Sequence, residues 1–124
     1  MKYRIIQRLN PRQPAAPRKW YAARVHNGKM TQDDIAEDIV VISSLARGDV
    51  ANVIESLLDT VPKYLLMGKS VSLGALGTFR LSFSSKGVDT PEDFQTNMIS
   101  RTRIIFKPST KLRNQINQVK FEKA

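Results

Sequence analysis

The apolar residues of this chain change their spacing at Gly68, and that change limits the fold more than any other feature of the sequence. Before it they recur at helical intervals, first as Ile35, Ile39, Ile42 and Leu45, then as Val50, Val53, Ile54, Leu57, Leu58, Val61 and Leu65. Steps of three and four residues collect each set on one side of a helix. After Gly68 the period falls to two. Val71 and Leu73, then Phe79, Leu81 and Phe83, alternate with Ser72, Arg80, Ser82 and Ser84, as strands with one wet face require. Helices grouped ahead of strands are the pattern of an α+β fold.

Local signals set the expected boundaries. Thr31 offers an N-cap, and Asp33, Asp34, Glu37 and Asp38 place negative charge where the helix dipole favours it, predicting a helix over 32–46. Arg47-Gly48-Asp49 reads as a terminal glycine followed by the next N-cap, and Pro62 is expected to kink or divide the second helix. A glycine-rich connection, GALG (Gly74 to Gly77), joins two strands, and the polar stretch 86–98 reads as a loop or arm. Arg101 to Lys107 alternates again, with Thr102, Ile104 and Phe106 on one face and Arg101, Arg103, Ile105 and Lys107 on the other. Pro108 stops that strand, Ser109 or Thr110 can cap, and Leu112, Ile116 and Val119 mark a last helix. Upstream, Tyr3 to Arg8 and Lys19 to His26 read as strands around NPRQPAAP, whose three prolines forbid regular structure. The predicted order is β, β, α, α, β, β, β, α.

Charge identifies the kind of partner. The chain has 124 residues and a net charge of +9, from 20 basic and 11 acidic side chains. Residues 1–30 hold eight basic residues and no acid, 31–100 hold five basic and ten acidic, and 101–124 hold seven basic and one acidic. Cationic ends around an anionic middle point to a polyanionic partner met by the ends. There is no cysteine, so thiol chemistry and thiolate metal sites are excluded. No long apolar run or secretory leader pattern occurs, and a soluble intracellular protein is expected. His26 is the only histidine and lacks a nucleophile at a diagnostic spacing, while GALG is not followed by the Lys-Ser/Thr pair of a phosphate-binding loop. Neither catalysis, nor a metal or cofactor, nor a small-molecule substrate is expected.

Two segments carry a resemblance. VSLGALGTFRL (Val71 to Leu81) and IIFKPSTKLRNQI (Ile104 to Ile116) resemble the glycine-phenylalanine turn and the Phe-Lys-Pro helix start of the HU and integration-host-factor family. Their separation also resembles that family's, and the likeness covers about 90 residues from Thr31 onward. Residues 1–30 are foreign to the plain family and resemble the N-terminally extended HU-like proteins of Bacteroidetes. The resemblance implies an intertwined homodimer with a two-helix base, a three-stranded antiparallel sheet with an extended β-arm, and a short C-terminal helix. The expected domains are a basic β extension, 1–30, and an HU-like domain, 31–124, with its arm over 86–98.

The resemblance also implies a role and a set of residues. The role is a nucleoid-associated protein of the bacterial cytoplasm that binds, and bends, duplex DNA with little sequence preference. Arg80, Lys86, Arg101, Arg103, Lys107, Lys111 and Arg113 are the candidate DNA contacts, and the bland alternative for each is a solvated surface. Arg4, Arg8, Arg12, Arg18, Lys19 and Arg24 are candidate auxiliary phosphate contacts. Pro91 occupies the place of the family's minor-groove wedge. Here the arm departs from the pattern, since it reads SKGVDTPEDFQTN, with Asp89, Glu92 and Asp93 around Pro91 and Lys86 as its only cation. Phe94 is a substitute wedge. Two other readings stay open, a dimeric scaffold that has lost DNA binding and a binder of structured RNA. Trp20, Tyr3 and Tyr21 are expected to be packing groups.

Overall fold

A computed structural model describes residues 1–124. Its first helix, α1 (Gln32–Ile42), begins in a capping box at Thr31. The Thr31 hydroxyl accepts from the Asp34 amide at 3.3 Å, and an Asp34 carboxylate oxygen accepts from the Thr31 amide at 2.9 Å and from its hydroxyl at 2.8 Å. These bonds favour the ionised carboxylate, so the Asp34 pKa lies below its ordinary value, the Thr31 backbone bond contributing most. The helix ends four residues earlier than its periodicity predicts. Ser43 is extended and its hydroxyl accepts from the Leu45 amide, an alternative to continuing the helix.

The second helix, α2 (Arg47–Leu66), starts earlier than expected. Ala46 rather than Asp49 is the N-cap, the Val50 amide bonds the Ala46 carbonyl at 3.1 Å, and Gly48 and Asp49 lie inside the first turn. Gly48 is tolerated there because first-turn amides have no helical partner to lose. The helix also runs through Pro62 without dividing. Exposed links join α1 to α2: Gln32 donates to Glu55 at 2.9 Å, and Arg47 pairs with Glu37 at 3.1 Å. Such exposed pairs add about 0–1 kcal/mol each, so apolar packing holds the helices together.

Two sheets follow. One is antiparallel, in the order β3 (Val71–Ser72), β4 (Gly77–Ser85), β5 (Ile99–Pro108). Its register, Phe79↔Phe106 and Leu81↔Ile104, sets Phe79, Leu81, Ile104 and Phe106 on one face, and the Phe79 and Phe106 rings stack at 4.7 Å. Phe79, Ile104 and Leu73 line an apolar cleft with Leu57, Leu58, Val61, Pro62 and Leu65 of α2, so this is the face turned to the helices.

The other sheet unites the two ends of the chain. It has the order β2 (Lys19–Arg24), β1 (Lys2–Arg8), β6 (Glu122–Lys123), with β6 parallel to β1. The last helix, α3 (Thr110–Ile116), is shorter than predicted: Val119 lies beyond it, in the turn that leads to β6. Local sequence carries no sign of the β6 strand, because its two pairs depend on a partner more than a hundred residues away.

The two sequence motifs meet at one point. The Leu73 amide bonds the Gly77 carbonyl at 2.9 Å, closing the glycine-rich turn. Ser109 then fastens that turn to α3: its hydroxyl donates to the Ala75 carbonyl and accepts from the Leu112 amide at 3.0 Å, and its amide bonds the Leu76 carbonyl at 3.2 Å. Gly77 has φ +147, and a Cβ there would meet the Lys107 carbonyl, the Phe106 ring at 2.7 Å and Pro108 Cα at 2.9 Å. Only glycine fits.

The protomer buries little. Only Ala36, Val50, Leu65 and Gly77 are buried, and the accessible surface is 10810 Å². A compact globule of 14.0 kDa would expose about 6,700 Å². Val53, Leu57, Leu58, Phe83, Ile104 and Phe106 all remain exposed. No helix is long and apolar enough to cross a membrane.

Gly77→Ala is expected to lose about 3 kcal/mol or more of stability, from the strained backbone and the blocked approach together. A urea melt of the variant with an unchanged midpoint would refute this account of the turn.

Candidate nucleic-acid interface

Strand alternation and register decide which cations share a surface. On the sheet face away from α2, Thr78 pairs with Lys107, Arg80 with Ile105, and Ser82 with Arg103. Arg80 on β4 therefore faces Ile105 and lies diagonal to Arg103 and Lys107 on β5, the 7–8 Å relation of cross-strand neighbours. All three basic side chains are exposed, and Arg47–Glu37 is the one ion pair in the protein. Their charge is thus uncompensated at short range. Three free cations around one apolar residue form a surface suited to phosphate oxygens.

Arg101 stands apart from this group. Between the pairs Ser82↔Arg103 and Ser84↔Ser100 the register shifts, so Arg101 and Thr102 together oppose Phe83. Arg101 has φ +55, the left-handed conformation of the first residue in a glycine-type β-bulge. The bulge puts Ser100, not Arg101, in step with Arg103 and Lys107, correcting the simple alternation. A bulge cannot be read from period two, because it is the place where the period breaks.

The β4–β5 ladder ends at Ser85↔Ile99, where the Lys86 amide bonds the Met98 carbonyl at 3.1 Å. The tip is built of two short 3-10 turns, Pro91–Asp93 and Thr96–Met98. Pro91 begins the first and is exposed, between Thr90 and the acidic pair Glu92 and Asp93. Phe94 closes it, its amide on the Pro91 carbonyl at 3.2 Å. Lys86 stands at the base of the tip. Lys111 and Arg113 are exposed on α3, but residues two apart on a helix point about 200° apart, so they do not form one patch.

The N-terminal cations separate by face. Register pairs Arg4 with Ala23, Ile6 with Tyr21 and Arg8 with Lys19, so Arg4, Arg8 and Lys19 share a face. Lys2, absent from the candidates read off the sequence, belongs to that face by the same i, i+2 rule. Arg24 pairs with Tyr3 on the opposite face, with Ile5, Ala22 and Trp20. Arg12 and Arg18 lie in the connecting loop, where the Arg12 amide bonds the Asn10 side chain at 3.0 Å. Trp20 is 66 % exposed and Tyr21 46 %, so neither is the packing group expected of it within one protomer.

Comparison with known proteins supplies the family. The family model described as an HU domain fused to wHTH, Ig, or Glycine-rich motif matches residues 1–123. An integration host factor subunit alpha from Marinomonas sp. is 26 % identical over 91 residues, covering 72 % of this chain and 93 % of its own. That of Maricaulis maris is 30 % identical over 96 residues, covering 71 % of this chain and 89 % of its own. Among solved structures, a candidate bacterial DNA-binding protein from Bacteroides vulgatus superposes with a TM-score of 0.63 at 16 % identity, over 98 % of this chain. The present chain spans 47 % of that protein's length. With a glycine-locked sheet over a helical pair, and a family match that takes in the N-terminal strands as well, the chain belongs to the HU-HIG family and is related to the HU and integration-host-factor proteins.

Proposed function

We propose that this protein is an architectural DNA-binding protein that acts as a homodimer and holds duplex DNA chiefly by its phosphates. The observation that carries the reading is the unpaired cluster of Arg80, Arg103 and Lys107 on the sheet face turned away from α2. Phosphates are met there without reading base edges, so affinity follows charge and salt rather than sequence. Lys86 and Arg101 extend the same hairpin, and Lys111 and Arg113 add cations on α3. The names of the relatives, integration host factor subunits, agree with this role. The same reading puts the protein in the cytoplasm, at the nucleoid. A binding protein, not an enzyme, is what these residues suit.

The surface left open supports the dimer. The exposed stripe of α2 and the helix-facing side of the sheet, including Phe83 at 57 % and Ile104 at 59 % exposure, need a partner to leave water. A second copy offers the same apolar surface, the self-complementary arrangement of a two-fold interface. Fully burying one such side chain is worth about 1.5–3 kcal/mol, so several together can hold two chains.

Bending would fall to the hairpin tip, with Pro91 or Phe94 as the wedge. Asp89, Glu92 and Asp93 oppose it by repelling phosphates. That acidic tip favours a second reading, a dimeric scaffold without DNA, and a gel mobility shift with plasmid at physiological salt separates the two. Competition between duplex DNA and structured RNA identifies the preferred polyanion.

Three outcomes are expected. First, log affinity for duplex DNA falls linearly with log salt, and replacing Arg80, Arg103 and Lys107 by Gln lowers the slope by up to about 5 per dimer, at about 0.9 per phosphate contact. A slope left unchanged removes this face from the interface. Second, if the tip bends DNA, nicked or pre-bent duplex binds better than straight duplex, and Pro91→Ala abolishes the preference; a preference retained by the variant excludes Pro91. Third, sedimentation gives twice the chain mass at micromolar concentration, and the unfolding midpoint rises with protein concentration. A monomer with a concentration-independent midpoint contradicts the dimer.

A further inference from the structure

The N-terminal sheet is a built element rather than a charged tail. Its six registered pairs are reinforced from the other end of the chain: the Met1 ammonium donates to the Lys120 carbonyl at 2.6 Å, the Glu122 amide to the Met1 carbonyl at 3.1 Å, and the Ala124 amide to the Tyr3 carbonyl at 2.9 Å. One of its faces presents Arg4, Arg8 and Lys19 around the Ile6–Tyr21 pair. No acidic side chain occurs in residues 1–30, and the one acidic side chain brought alongside by β6 is Glu122, opposite Lys2 at the far end. At the loop end, Arg8, Lys19 and Tyr21 line a single cleft together with Asn10 and Gln13. Two cations, a phenol hydroxyl and two amides converging on one cleft are donors suited to a phosphate oxygen.

We propose that this cationic face, with the Arg8–Lys19–Tyr21 cleft at its end, is a second phosphate-binding surface for duplex DNA, separate from the β4–β5 face. The proposal rests on the DNA-binding reading above. From Arg4 to Arg8 the sheet is only two strands wide, a ribbon of the kind that fits the major groove and leaves its cations beside the flanking phosphates. The opposite face, with Trp20, Ile5 and Ala22, carries two cations, Arg24 and Lys123, both beside Tyr3 at the end away from the cleft, and is not part of the surface.

The test uses the full chain and compares salt slopes on one duplex. Replacing Arg4, Arg8 and Lys19 by Gln is expected to lower the slope by about 3 for each protomer engaged, at about 0.9 per contact, with an unchanged unfolding midpoint. Arg24→Gln is expected to leave the slope as it is. An unaltered slope in the triple variant, or an equal loss from Arg24→Gln, overturns the proposal. If the triple variant misfolds, Arg8→Gln and Lys19→Gln singly should each lower the slope by about 1 per protomer, and no change in either is again fatal. Failure of the unmodified protein to bind any duplex removes the DNA reading itself. Normal binding that is indifferent to the ribbon removes only the second surface.

Discussion

The approach of Gly77 to Lys107, Phe106 and Pro108 fixes the relation between β4 and β5, and the placement of the candidate interface depends on it. Because no side chain intervenes, the Gly77↔Pro108 pair can form, and each later pair follows in step as far as Ser82↔Arg103. A slip of one residue would move Arg80 off the face of Arg103 and Lys107 and turn Phe79 out of the apolar cleft. Ser109 makes the turn and the helix cap one structure, since its hydroxyl serves the Ala75 carbonyl and the Leu112 amide together. The two segments that look like separate motifs are therefore two halves of one lock.

The same register divides the sheet into a face that needs a partner and a face that repels itself. Phe79 and Phe106 stack toward α2, but Ile104 and Phe83 remain in water, and α2 leaves Val53, Leu57 and Leu58 exposed. One protomer is an incomplete core. The opposite face has the reverse imbalance, with positive charges unmatched by carboxylates. A dimer would answer the first imbalance and a polyanion the second.

The hairpin tip concentrates negative charge at Asp89, Glu92 and Asp93, while the open sheet face and the N-terminal ribbon hold cations without ion pairs. This distribution favours the proposed grip on phosphates along the sheet and flank over a wedge at the tip. Arg101 marks the boundary between the two regions. Its left-handed backbone interrupts the ladder, which resumes for the pairs Ser84↔Ser100 and Ser85↔Ile99 before the chain enters the tip.

Short-range physics made much of this legible in the sequence. The helical spacing from Ile35 to Leu65, the alternation from Val71 to Phe83, the Thr31 cap and the two glycine- and proline-bearing motifs are local, and the elements they mark formed, with ends displaced by a few residues. Ser43, Ala46 and Asn117 set those ends through hydrogen bonds and backbone angles that apolar spacing does not encode. Long-range pairing decided the rest. The β6 strand exists because Glu122 and Lys123 find β1, the Arg101 bulge because β5 carries one residue more than β4 can match, and the grouping of Arg8, Lys19 and Tyr21 because two strands folded back on each other. The sequence by itself determined which residues are charged and which of the longer segments are helix or strand, since those properties reside in neighbouring residues. Only the tertiary structure decided which charges share a surface and which apolar groups stay uncovered, because register and close approach join residues that the chain keeps far apart.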